Sequence, residues 1–577
     1  MTPPPYWSVD IPPPPDFSID GEKPAADAGP DSPLAELANP SARAGRLRLK
    51  RALLSVSDKT GLLGLAETLH RFNVELISTG GTASYLRDAG FEVTDISQLT
   101  GHSEWFAGRV KTLSAEVAGA LLFDRIHHAE EARAHGIAPI DLVVCNLYPF
   151  REAWQAGRPH PALVEEIDIG GVTLIRAGAK NAAWVAVVVD PCEYEAVARE
   201  LSETGGYVSL ATRQRLQRLA FRYTADYDAL IATAFDEMAG EPSHRLTFVD
   251  GRRLRYGENP HQQALVYRSA EAPWPYALKQ GKDLSYTNLL DLHAAVTAVQ
   301  SLPGCGCAVV KHANPCGLAV GPTPAAAFDL AWNGDPVSAF GSTVAFNEVV
   351  TAETVDRFGL DAPDRASRKF IEIVVAPAFA PEALTRLAVA PNLRVVEWQG
   401  PARQGWIDRV VGPLLLRQEA DLPTAEPLVT CTTLPFPEEA ADLARFGCIA
   451  AALAASNAVV IVRAAPGGGF QLLGLGGGQP NRVAATRLAI EVATANLHRE
   501  AAARGADPTA WCRDQMAQAV LVSDAFFPFP DSIEEAARAG LRRIVQPGGS
   551  RRDQEVIDRA NALGLAMAFT GRRHFRH

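Results

Sequence analysis

From Arg51 onward, short apolar runs alternate with longer segments whose apolar residues recur at helical spacing, and this alternation limits the folds that the chain can adopt. Buried strands are predicted for RALLSVS (51–57), VELIST (74–79) and IDLVVCNLYPF (140–150), with FEVTDI as a shorter strand. A helix is predicted for DKTGLLGLAETLHRF, and GGTASYLRDAG is predicted to be a loop followed by a helix that closes at Gly90. Because successive parallel strands need crossover helices, the pattern predicts α/β units with a parallel sheet.

The 577 residues suggest about two to four domains at roughly 150 residues each. A first α/β domain is predicted over 47–240. The polar, Gly- and Pro-marked stretch 245–265 is predicted to be a connection into a second domain over 241–577. Strand and helix patterns continue there, which indicates two further α/β units that divide near 400–430.

Residues 1–46 differ from the rest of the chain. They contain two proline runs, followed by a stretch dominated by Pro, Ala, Asp and Ser. Proline favours extended polyproline conformations and removes backbone donors, so a disordered arm is predicted. The alternative is a peptide that docks into a groove of a partner.

Composition excludes several classes of protein. The chain has 55 Lys and Arg against 66 Asp and Glu, and the net charge of −11 argues against a nucleic-acid or anionic-membrane binder. No apolar run of about 18 residues is present, so no membrane span is expected. The eight cysteines form no CxxC pair, which favours reduced thiols in a cytoplasmic protein.

Small and hydroxyl-bearing residues follow two of the predicted strands, in segments 55–60 and 78–82. Adjacent glycines at a helix start can direct backbone N–H groups toward an anion, so a phosphate site is one interpretation, and a capped tight turn is the other. Segment 108–112 adds two cations, which in isolation are usually only solvated. A carboxylate follows at Asp168, before two glycines, and an amine at Lys180.

The pair Lys311-His312 follows the apolar run CAVV and is expected to precede a Gly/Pro loop. Histidine can take a proton from a poor nucleophile near neutral pH, and a neighbouring ammonium can stabilise developing negative charge. A surface pair without function is the alternative. Asn314–Gly317 resembles the PC segment of zinc deaminases, but it lacks the CxxC and HxE partners, so no catalytic metal is predicted.

Taken together, these segments resemble a known family. SVSDKTGL, STGGTA, GRVKTL, IDLVVCNLYPF, IDIGG and AKN occur in this order in the N-terminal domain of the AICAR transformylase/IMP cyclohydrolase family. RYGENPHQ, LSYTNLLDL, VVKHANPCG, DPVSAFG, SDAFFPFPD and IVQPGGSRRDQEVI continue the resemblance over about 51–577. It implies a methylglyoxal-synthase-like domain followed by two cytidine-deaminase-like α/β units.

The resemblance implies formyl transfer from 10-formyltetrahydrofolate, a co-substrate, to the 5-amino group of AICAR, in a homodimer with this site at the subunit interface. His312 would be the base, and Lys311 would assist proton transfer to the folate nitrogen or stabilise the tetrahedral oxyanion. Arg255 would hold the ribotide phosphate. The remaining implied contacts are to nucleotide or folate (Asn288, Gly341, Glu372, Asn457, Arg482), to the pterin side (Phe340, Phe526, Asp531) and to the C-terminal closure of the pocket (Arg573, His577).

It also implies dehydrative ring closure of the formylated product to IMP. Asp168 would orient the carboxamide, and Lys111 and Tyr148 would polarise the formyl oxygen, with Lys180 as the fourth member of the catalytic cluster. Because the reaction is intramolecular, orientation supplies much of its rate. The positions implied to bind substrate or phosphate are Ser57, Lys59, Thr60, Ser78, Gly80, Gly81, Thr82, Arg109 and Thr112.

The sequence departs from the family pattern at several polar positions. Ser114, Ala118 and Ala182 stand where histidines are usual, Ala107 where an aspartate is usual, and Ala452 where a lysine is usual. Ordinary purine synthesis is therefore one interpretation. The others are the same chemistry on an analogous amino-carboxamide ribotide, an enzyme that keeps only the transformylase, and a non-catalytic nucleotide sensor.

Overall fold

The computed structural model describes residues 45–106, 109–241, 243–270, 272–364, 368–402, 405–421 and 427–577. The chain divides into two compact units, one ending at Thr247 and the other beginning at Phe248. Residues 1–44 of the predicted arm lie outside the described residues. Arg46, the last residue assigned to that arm, already begins a strand.

The first unit contains seven strands and ten α-helices within its described residues. The strands are β1 (Arg46–Arg48), β2 (Arg51–Val56), β3 (Glu75–Ser78), β4 (Thr94–Asp95), β5 (Leu142–Asn146), β6 (Ala186–Val188) and β7 (Tyr207–Ser209). The helices are α1 (Leu62–Arg71), α2 (Gly80–Asp88), α3 (Ile96–Thr100), α4 (Ala115–Leu122), α5 (Ala129–Ala134), α6 (Phe150–Gln155), α7 (His160–Glu165), α8 (Gly170–Lys180), α9 (Tyr194–Thr204) and α10 (Leu210–Ala239).

The predicted parallel sheet of the first unit is confirmed. Its strand order is β4-β3-β2-β5-β6, and every pairing is parallel. Alternate residues of β2 enter different cores: Leu53 packs on one face of the sheet, and Ala52 and Leu54 pack on the other. The chain continues from β2 to β3 on one side of β2, and it later adds β5 on the other side of β2. Because the strand order reverses at this point, a crevice opens at the carboxyl ends of these strands.

The second unit contains a further sixteen strands and nine α-helices in its described part. The strands are β8 (Phe248–Arg253), β9 (Leu265–Ser269), β10 (Tyr276–Gln280), β11 (Gly306–Lys311), β12 (Asn314–Val320), β13 (Ser342–Phe346), β14 (Ile371–Ala376), β15 (Arg394–Trp398), β16 (Trp406–Val411), β17 (Leu414–Glu419), β18 (Val429–Thr430), β19 (Val459–Ala464), β20 (Phe470–Gly476), β21 (Val520–Ser523), β22 (Arg543–Gln546) and β23 (Ala566–Phe569). The helices are α11 (Tyr286–Gln300), α12 (Pro324–Gly334), α13 (Ala352–Asp356), α14 (Pro381–Leu387), α15 (Ala441–Leu453), α16 (Arg482–Arg504), α17 (Pro508–Gln518), α18 (Asp531–Arg538) and α19 (Asp553–Ala562).

The two predicted α/β units of this second part share one twelve-stranded sheet, ordered β10-β15-β14-β13-β11-β12-β20-β19-β21-β22-β23-β18. Each half has an antiparallel hairpin followed by three strands that run parallel to one another. The hairpins β11–β12 and β19–β20 join the halves through β12 and β20. Helices α11 and α15 cover one face in a common core, so the halves fold as one body.

Two local expectations are wrong. The stretch 245–265 is not a simple connection, because β8 and β9 pair as an antiparallel ribbon. No Gly/Pro loop follows Lys311 and His312 either. The chain turns back at once, and Lys311 pairs with Asn314 across a two-residue hairpin turn. The Pro and Gly of NPCG belong to β12. The pairing of β12 with β11 changes register between Val309 and Val310 of β11.

Candidate functional site

The first unit has a cavity of about 630 Å³ at the carboxyl ends of β2, β3 and β5. It brings together residues from five separate segments of the chain, as expected for the crevice of an open parallel sheet. The predicted residues that line it are Ser57, Lys59, Gly80, Gly81, Thr82, Arg109, Lys111, Thr112, Tyr148 and Asp168.

One wall of the cavity is the start of α2. The helix begins directly at Gly80, without the predicted loop, and the first amides of an α-helix have no acceptor within the helix. Lys111 lies against this end, since a Cβ added at Gly80 would be 3.2 Å from Lys111 Nζ. Gly80 also has a φ of +43°, a conformation that side chains disfavour. Backbone donors and an ammonium therefore converge on one point, which suits a phosphate.

The opposite wall is the start of α8, where Asp168 is held in place. Its Oδ1 accepts a hydrogen bond from Gly171 N at 2.6 Å, and a Cβ at Gly171 would lie 2.7 Å from Oδ2. Burial raises the pKa of Asp168, against the opposing effect of the backbone N–H groups of Gly171 and Tyr148. Thr112 Oγ1 comes within 2.9 Å of the place where a Cβ of Gly170 would stand. Both glycines are needed for this close packing.

Asn146, which sequence reasoning missed, orders the loop after β2. Its Oδ1 accepts from the backbone N of Ser57 at 2.7 Å and of Asp58 at 2.9 Å, and its Nδ2 donates to Asp58 O. The residue is buried at the end of an apolar strand, and a polar side chain in that place usually has a bonding role. The polar residue at the end of this apolar run was the feature of the sequence that could have indicated such a role.

Two predicted hydroxyls are already used by the sheet. Ser78 Oγ donates to Leu54 O at 2.6 Å, and Thr82 Oγ1 donates to the carbonyl of Val56 at 3.0 Å and accepts from its N–H. Ser78 does not line the cavity at all. These side chains fix β3 and α2 against β2, so the anion donors at this wall are the backbone amides of α2.

Lys180 and Thr60 lie outside the cavity lining. Lys180 is the last residue of α8, and it lies about 15 Å along the helix from Gly170, because each helical residue rises about 1.5 Å. Lys111 forms an ion pair with Glu104 at 3.2 Å, and Arg109 pairs with Glu165, which also lines the cavity. The structure therefore groups Lys111, Tyr148 and Asp168 but separates Lys180 from them.

In the second unit, His312 stands exposed at the tip of the turn between β11 and β12. His312 and Ala313 have φ values of 52° and 57°, so two non-glycine residues adopt the left-handed conformation. Such conformations are uncommon and cluster at functional sites. They match a type I′ hairpin turn, for which Asn and Gly are the usual residues. The chain places an imidazole there instead.

Three neighbours hold this turn. Asp291 Oδ1 accepts from Ala313 N at 2.7 Å, and Asn314 Nδ2 donates to His312 O at 3.0 Å. Lys311 Nζ donates to Phe340 O at 2.8 Å, so the ammonium lies between the hairpin and the turn before β13. Burial raises the pKa of Asp291, while the Ala313 amide and the charges of His312 and Lys311 lower it. Asp291 was not predicted, although its motif was recognised.

Several of the predicted nucleotide contacts gather beside Asp291. Asn288 donates from Nδ2 to Glu372 Oε2 at 3.3 Å, and its own oxygen caps α11 by accepting from the Ser285 amide. The buried Arg394 lies 3.8 Å from Glu372, and its pKa is lowered by burial and by the charge of Arg255, while Glu372 opposes this. Arg394 is a missed residue of this group.

Asn314 also joins the hairpin to the C-terminal half, because its Oδ1 accepts from Ala455 N at 2.9 Å. Beyond Ala455, Asn457 donates from Nδ2 to Gln479 O. Buried Asp524, which sequence reasoning missed, accepts from Ser456 Oγ at 2.6 Å and from Arg482 Nη1 at 2.9 Å. Burial lowers the pKa of Arg482, and Asp524 opposes that shift. Arg482 is therefore anchored to the scaffold.

The C-terminus and the aromatic residues complete the group. Asp524 O accepts from the His574 amide, and Arg573 lies over the Phe575 ring at 4.3 Å, with His577 on the same ring at 5.5 Å. Phe526 is connected to the network because its carbonyl accepts from Arg482 Nε. Asp531 begins α18 and bonds to its neighbour Ser532, and no hydrogen bond among the described residues joins it to the His312 turn.

Phe340 packs against Phe370 with ring centroids 5.0 Å apart, and both rings are about half exposed. Gly341 follows with a φ of +75° and donates its N–H to Phe370 O, so a glycine is required in this turn. Because Phe340 also accepts from Lys311, an exposed aromatic surface lies directly beside the Lys311-His312 pair.

The unusual substitutions near both sites are accommodated by the scaffold. Ser114 caps α4 by accepting from Val117 N. Ala182 and Ala452 are buried among other side chains. Ala107 lies outside the described residues. Ala118 is half-buried on α4. The described positions thus lie in a helix cap, in the core or on a half-buried helix face, and none of the side chains grouped at the two sites is among them.

Other features of the chain bear on its chemistry. All eight cysteines are free. Within the described ranges, no group of three or more His, Cys, Asp or Glu side chains is arranged to hold a metal ion. No helix among the described residues is long and apolar enough to span a membrane.

Residues of both units match models of known protein families. The family model described as AICARFT/IMPCHase bienzyme matches residues 178–492, and the MGS-like domain model matches 61–173. A bifunctional purine biosynthesis protein PurH of Myxococcus xanthus (strain DK1622) is 42% identical over 91% of this chain and 100% of its own. The protein of the same name from Xanthomonas campestris pv. campestris (strain 8004) is 42% identical, over 92% and 99%.

A solved structure described as "Crystal structure of ForH" is 37% identical and covers 32% of this chain and 99% of its own, with a TM-score of 0.30. The two sequence relatives, by contrast, match 91% and 92% of this chain. With its family model and its full-length relatives in agreement, the chain belongs to the AICARFT/IMPCHase bienzyme family.

Proposed function

We propose that this chain transfers a formyl group from 10-formyltetrahydrofolate to AICAR at the Lys311-His312 turn, and then closes the product to IMP in the cavity of the first unit. The observation that carries the proposal is the pair of built sites in a chain that matches bifunctional purine biosynthesis proteins along their whole length. These relatives favour the ordinary purine substrate over a ring analogue, and two built sites argue against a sensor.

His312 is the proton acceptor of the proposed transfer. The amine of AICAR is conjugated with its ring and is a weak nucleophile, so it must lose a proton as the new C–N bond forms. The exposed imidazole is carried by a turn whose backbone is held by Asp291 and Asn314, so it can meet the amine without rearranging the turn. Lys311 precedes it in the chain, and the ammonium of this residue can stabilise negative charge on the formyl oxygen.

The aromatic pair Phe340 and Phe370 fits the flat ring system of a folate. Two half-exposed rings provide a stacking surface, and the Phe340 carbonyl already contacts Lys311. The bound folate supplies the formyl group: the bond between the formyl carbon and the folate nitrogen breaks, and that nitrogen takes up a proton to leave as tetrahydrofolate. On this account, the chain itself orients the two substrates and moves the proton.

For ring closure, the carboxamide nitrogen attacks the formyl carbon, and water is lost. Because Asp168 Oδ1 is occupied by the Gly171 amide, the second oxygen is left to accept from the carboxamide and hold its nitrogen toward the formyl carbon. Lys111 and Tyr148 line the same cavity and can donate to the formyl oxygen. The start of α2 binds the phosphate.

A dimer is supported by the hairpin β16–β17 between the two halves of the second unit. A group of several exposed apolar side chains on one hairpin usually marks an interface. Its exposed apolar side chains are Trp406, Val410, Val411, Leu414, Leu415 and Leu416. We infer that a second copy covers this hairpin, in the homodimer whose transformylase sites lie at the interface.

Substitution of Leu414 by aspartate is expected to convert the dimer into monomers and to lower formyl transfer at least tenfold, because a buried unpaired carboxylate is costly in an interface. Ring closure should be unchanged. Sedimentation velocity and separate assays measure both effects. Val389→Asp, at another exposed apolar residue of the same unit, is the control and should remain dimeric. An L414D protein that stays dimeric would contradict the assignment of this surface.

The proposed function is tested by incubating the purified chain with AICAR and 10-formyltetrahydrofolate, and by following tetrahydrofolate release and IMP formation separately. Both products are expected, with IMP appearing after a short lag. Release of tetrahydrofolate without IMP would limit the function to formyl transfer. If the dimeric chain bound folate but gave neither product, AICAR would be excluded as substrate.

A further inference from the structure

The loops that carry Tyr148 and Asp168 are both attached to one helix. Helix α10 packs against α8 and β6 and has Tyr223 and Tyr227 on the same side, since residues four apart are neighbours on a helix. Tyr227 is buried, and Tyr223 is partly buried against the same core. Neither residue lines the cavity. Their hydroxyl groups nevertheless reach the backbone of the two loops.

The hydroxyl of Tyr223 accepts a hydrogen bond from Leu147 N at 2.9 Å, immediately before Tyr148. The hydroxyl of Tyr227 accepts from Asp168 N at 2.9 Å and donates to Glu166 O at 3.0 Å. Each phenol thus bonds to the backbone at, or next to, a residue of the proposed ring-closure site. The ring of Tyr227 also packs edge-on against the ring of Phe150, with ring centroids 6.5 Å apart.

The two loops also meet each other. The Asp168 carboxylate accepts from the Gly171 amide, and the nearby backbone N–H of Tyr148 also acts to lower the pKa of this carboxylate. The position of the carboxylate therefore depends on both loops, and both loops depend on α10. The phosphate wall is ordered by other contacts, because Asn146 holds the loop at Ser57 and Thr82 holds α2.

We propose that Tyr223 and Tyr227 are positioning residues for ring closure, which set the separation between Tyr148 and the Asp168 carboxylate. This inference rests on the proposed ring-closure activity and assigns no chemical step to either phenol. Tyr227 already uses its proton for Glu166 and a lone pair for Asp168. Burial raises the pKa of both phenols, that of Tyr227 to about 12, so both stay protonated near neutral pH.

Removal of one hydroxyl should act on the rate more than on substrate binding. In Tyr227→Phe the ring remains in the core, but Asp168 N–H and Glu166 C=O lose their partner, and the loop is free to shift. Displacements of about 1 Å in a site that works by orientation cost up to ~100-fold in rate. We expect kcat for ring closure to fall about 10- to 100-fold, while KM for the formylated ribotide changes less than about threefold.

The experiment measures kcat and KM for ring closure, formyl transfer on the same sample, and hydrogen exchange of individual backbone amides in the full chain. Tyr227→Phe should accelerate exchange of the Asp168 amide, and Tyr223→Phe that of the Leu147 amide. Formyl transfer should stay at the wild-type rate. Tyr207→Phe is the matched control, because it removes a phenol from the strand β7 in the same unit, away from both loops.

An unchanged kcat for ring closure in both variants would overturn the proposal. So would a parallel loss of formyl transfer, or a rise in KM that accounts for the whole effect, because these would assign the tyrosines to general stability or to substrate binding. A wild-type chain that fails to close the ring would instead contradict the proposed function itself, and amide exchange would still report whether the phenols hold the loops.

Discussion

Replacement of His312 by asparagine is expected to lower formyl transfer by about a thousandfold while ring closure stays at the wild-type rate. General bases contribute about 10²- to 10⁴-fold, and an amide cannot accept the proton. Asparagine is chosen because it tolerates the left-handed conformation that His312 adopts, so the hairpin turn is retained. Initial rates of tetrahydrofolate release give the first value, and closure of preformed formylated ribotide gives the second.

The matched control for this variant is His498→Asn, which changes an exposed histidine on α16. It should leave both rates unchanged. If H312N keeps more than about a tenth of the wild-type rate of formyl transfer, the imidazole is not the proton acceptor. Another group beside the turn, such as Asp291, would then have to be considered.

The second large effect concerns ring closure. Asp168→Asn should lower its rate about a hundredfold or more, because the amide nitrogen would face donors where the carboxylate now accepts from Gly171 and orients the carboxamide. Formyl transfer should be unaffected. Asp88→Asn, at the exposed end of α2, is the control. Equal rates of ring closure in D168N and the wild type would remove Asp168 from the site.

The same carboxylate predicts a pH dependence. Burial raises the pKa of Asp168, so as the pH falls the carboxylate takes up a proton at a higher pH than an ordinary aspartate does. The rate of ring closure should therefore decline on the acidic side, beginning above the usual range of aspartate. The titratable groups beside Asp168 are the Cys145 thiol and the two α10 phenols, and the cations Lys59, Arg109 and Lys111 line the same cavity. The D168N variant should lack this decline.

Much of the fold follows from local pattern. The strands that begin at Arg51 and Glu75 and the strong strand ending at Asn146 are read from apolar runs, and their order predicts a parallel sheet. Once that sheet is assumed, residues at neighbouring strand ends must meet, which is why most of the predicted phosphate and catalytic residues line one cavity. For this sheet and the cavity at its edge, the local sequence pattern and the strand order are sufficient for prediction.

The supporting residues could not be predicted in this way, because they act across long separations. Asn146 bonds to Ser57, which is 89 residues away, and Asp524 bonds to Ser456, which is 68 residues away. Local periodicity contains no information about such pairs. Lys180 remains a prediction: it lies outside the cavity lining, at the end of α8 opposite to the end that meets the cavity.

The hairpin turn at His312 was missed for a related reason. Turn prediction relies on Gly, Pro and Asn, and the Gly and Pro of the NPCG segment favour a loop. In the structure these residues lie in β12, because the partner strand β11 continues to Lys311 and the reversal takes place at His312 and Ala313. A tertiary contact from Asp291 and a local contact from Asn314 stabilise a turn that His312 and Ala313 would not favour alone.

The central claim is that one chain holds two separable sites, with formyl transfer at His312 and ring closure at Asp168. The most direct test mixes the purified variants H312N and D168N with AICAR and 10-formyltetrahydrofolate. Neither variant alone should form IMP at an appreciable rate. The mixture should form it after a lag, as the formylated product made by D168N is closed by H312N. If the mixture forms no IMP although each variant keeps its remaining activity, the two reactions do not take place at separate sites that exchange a free intermediate.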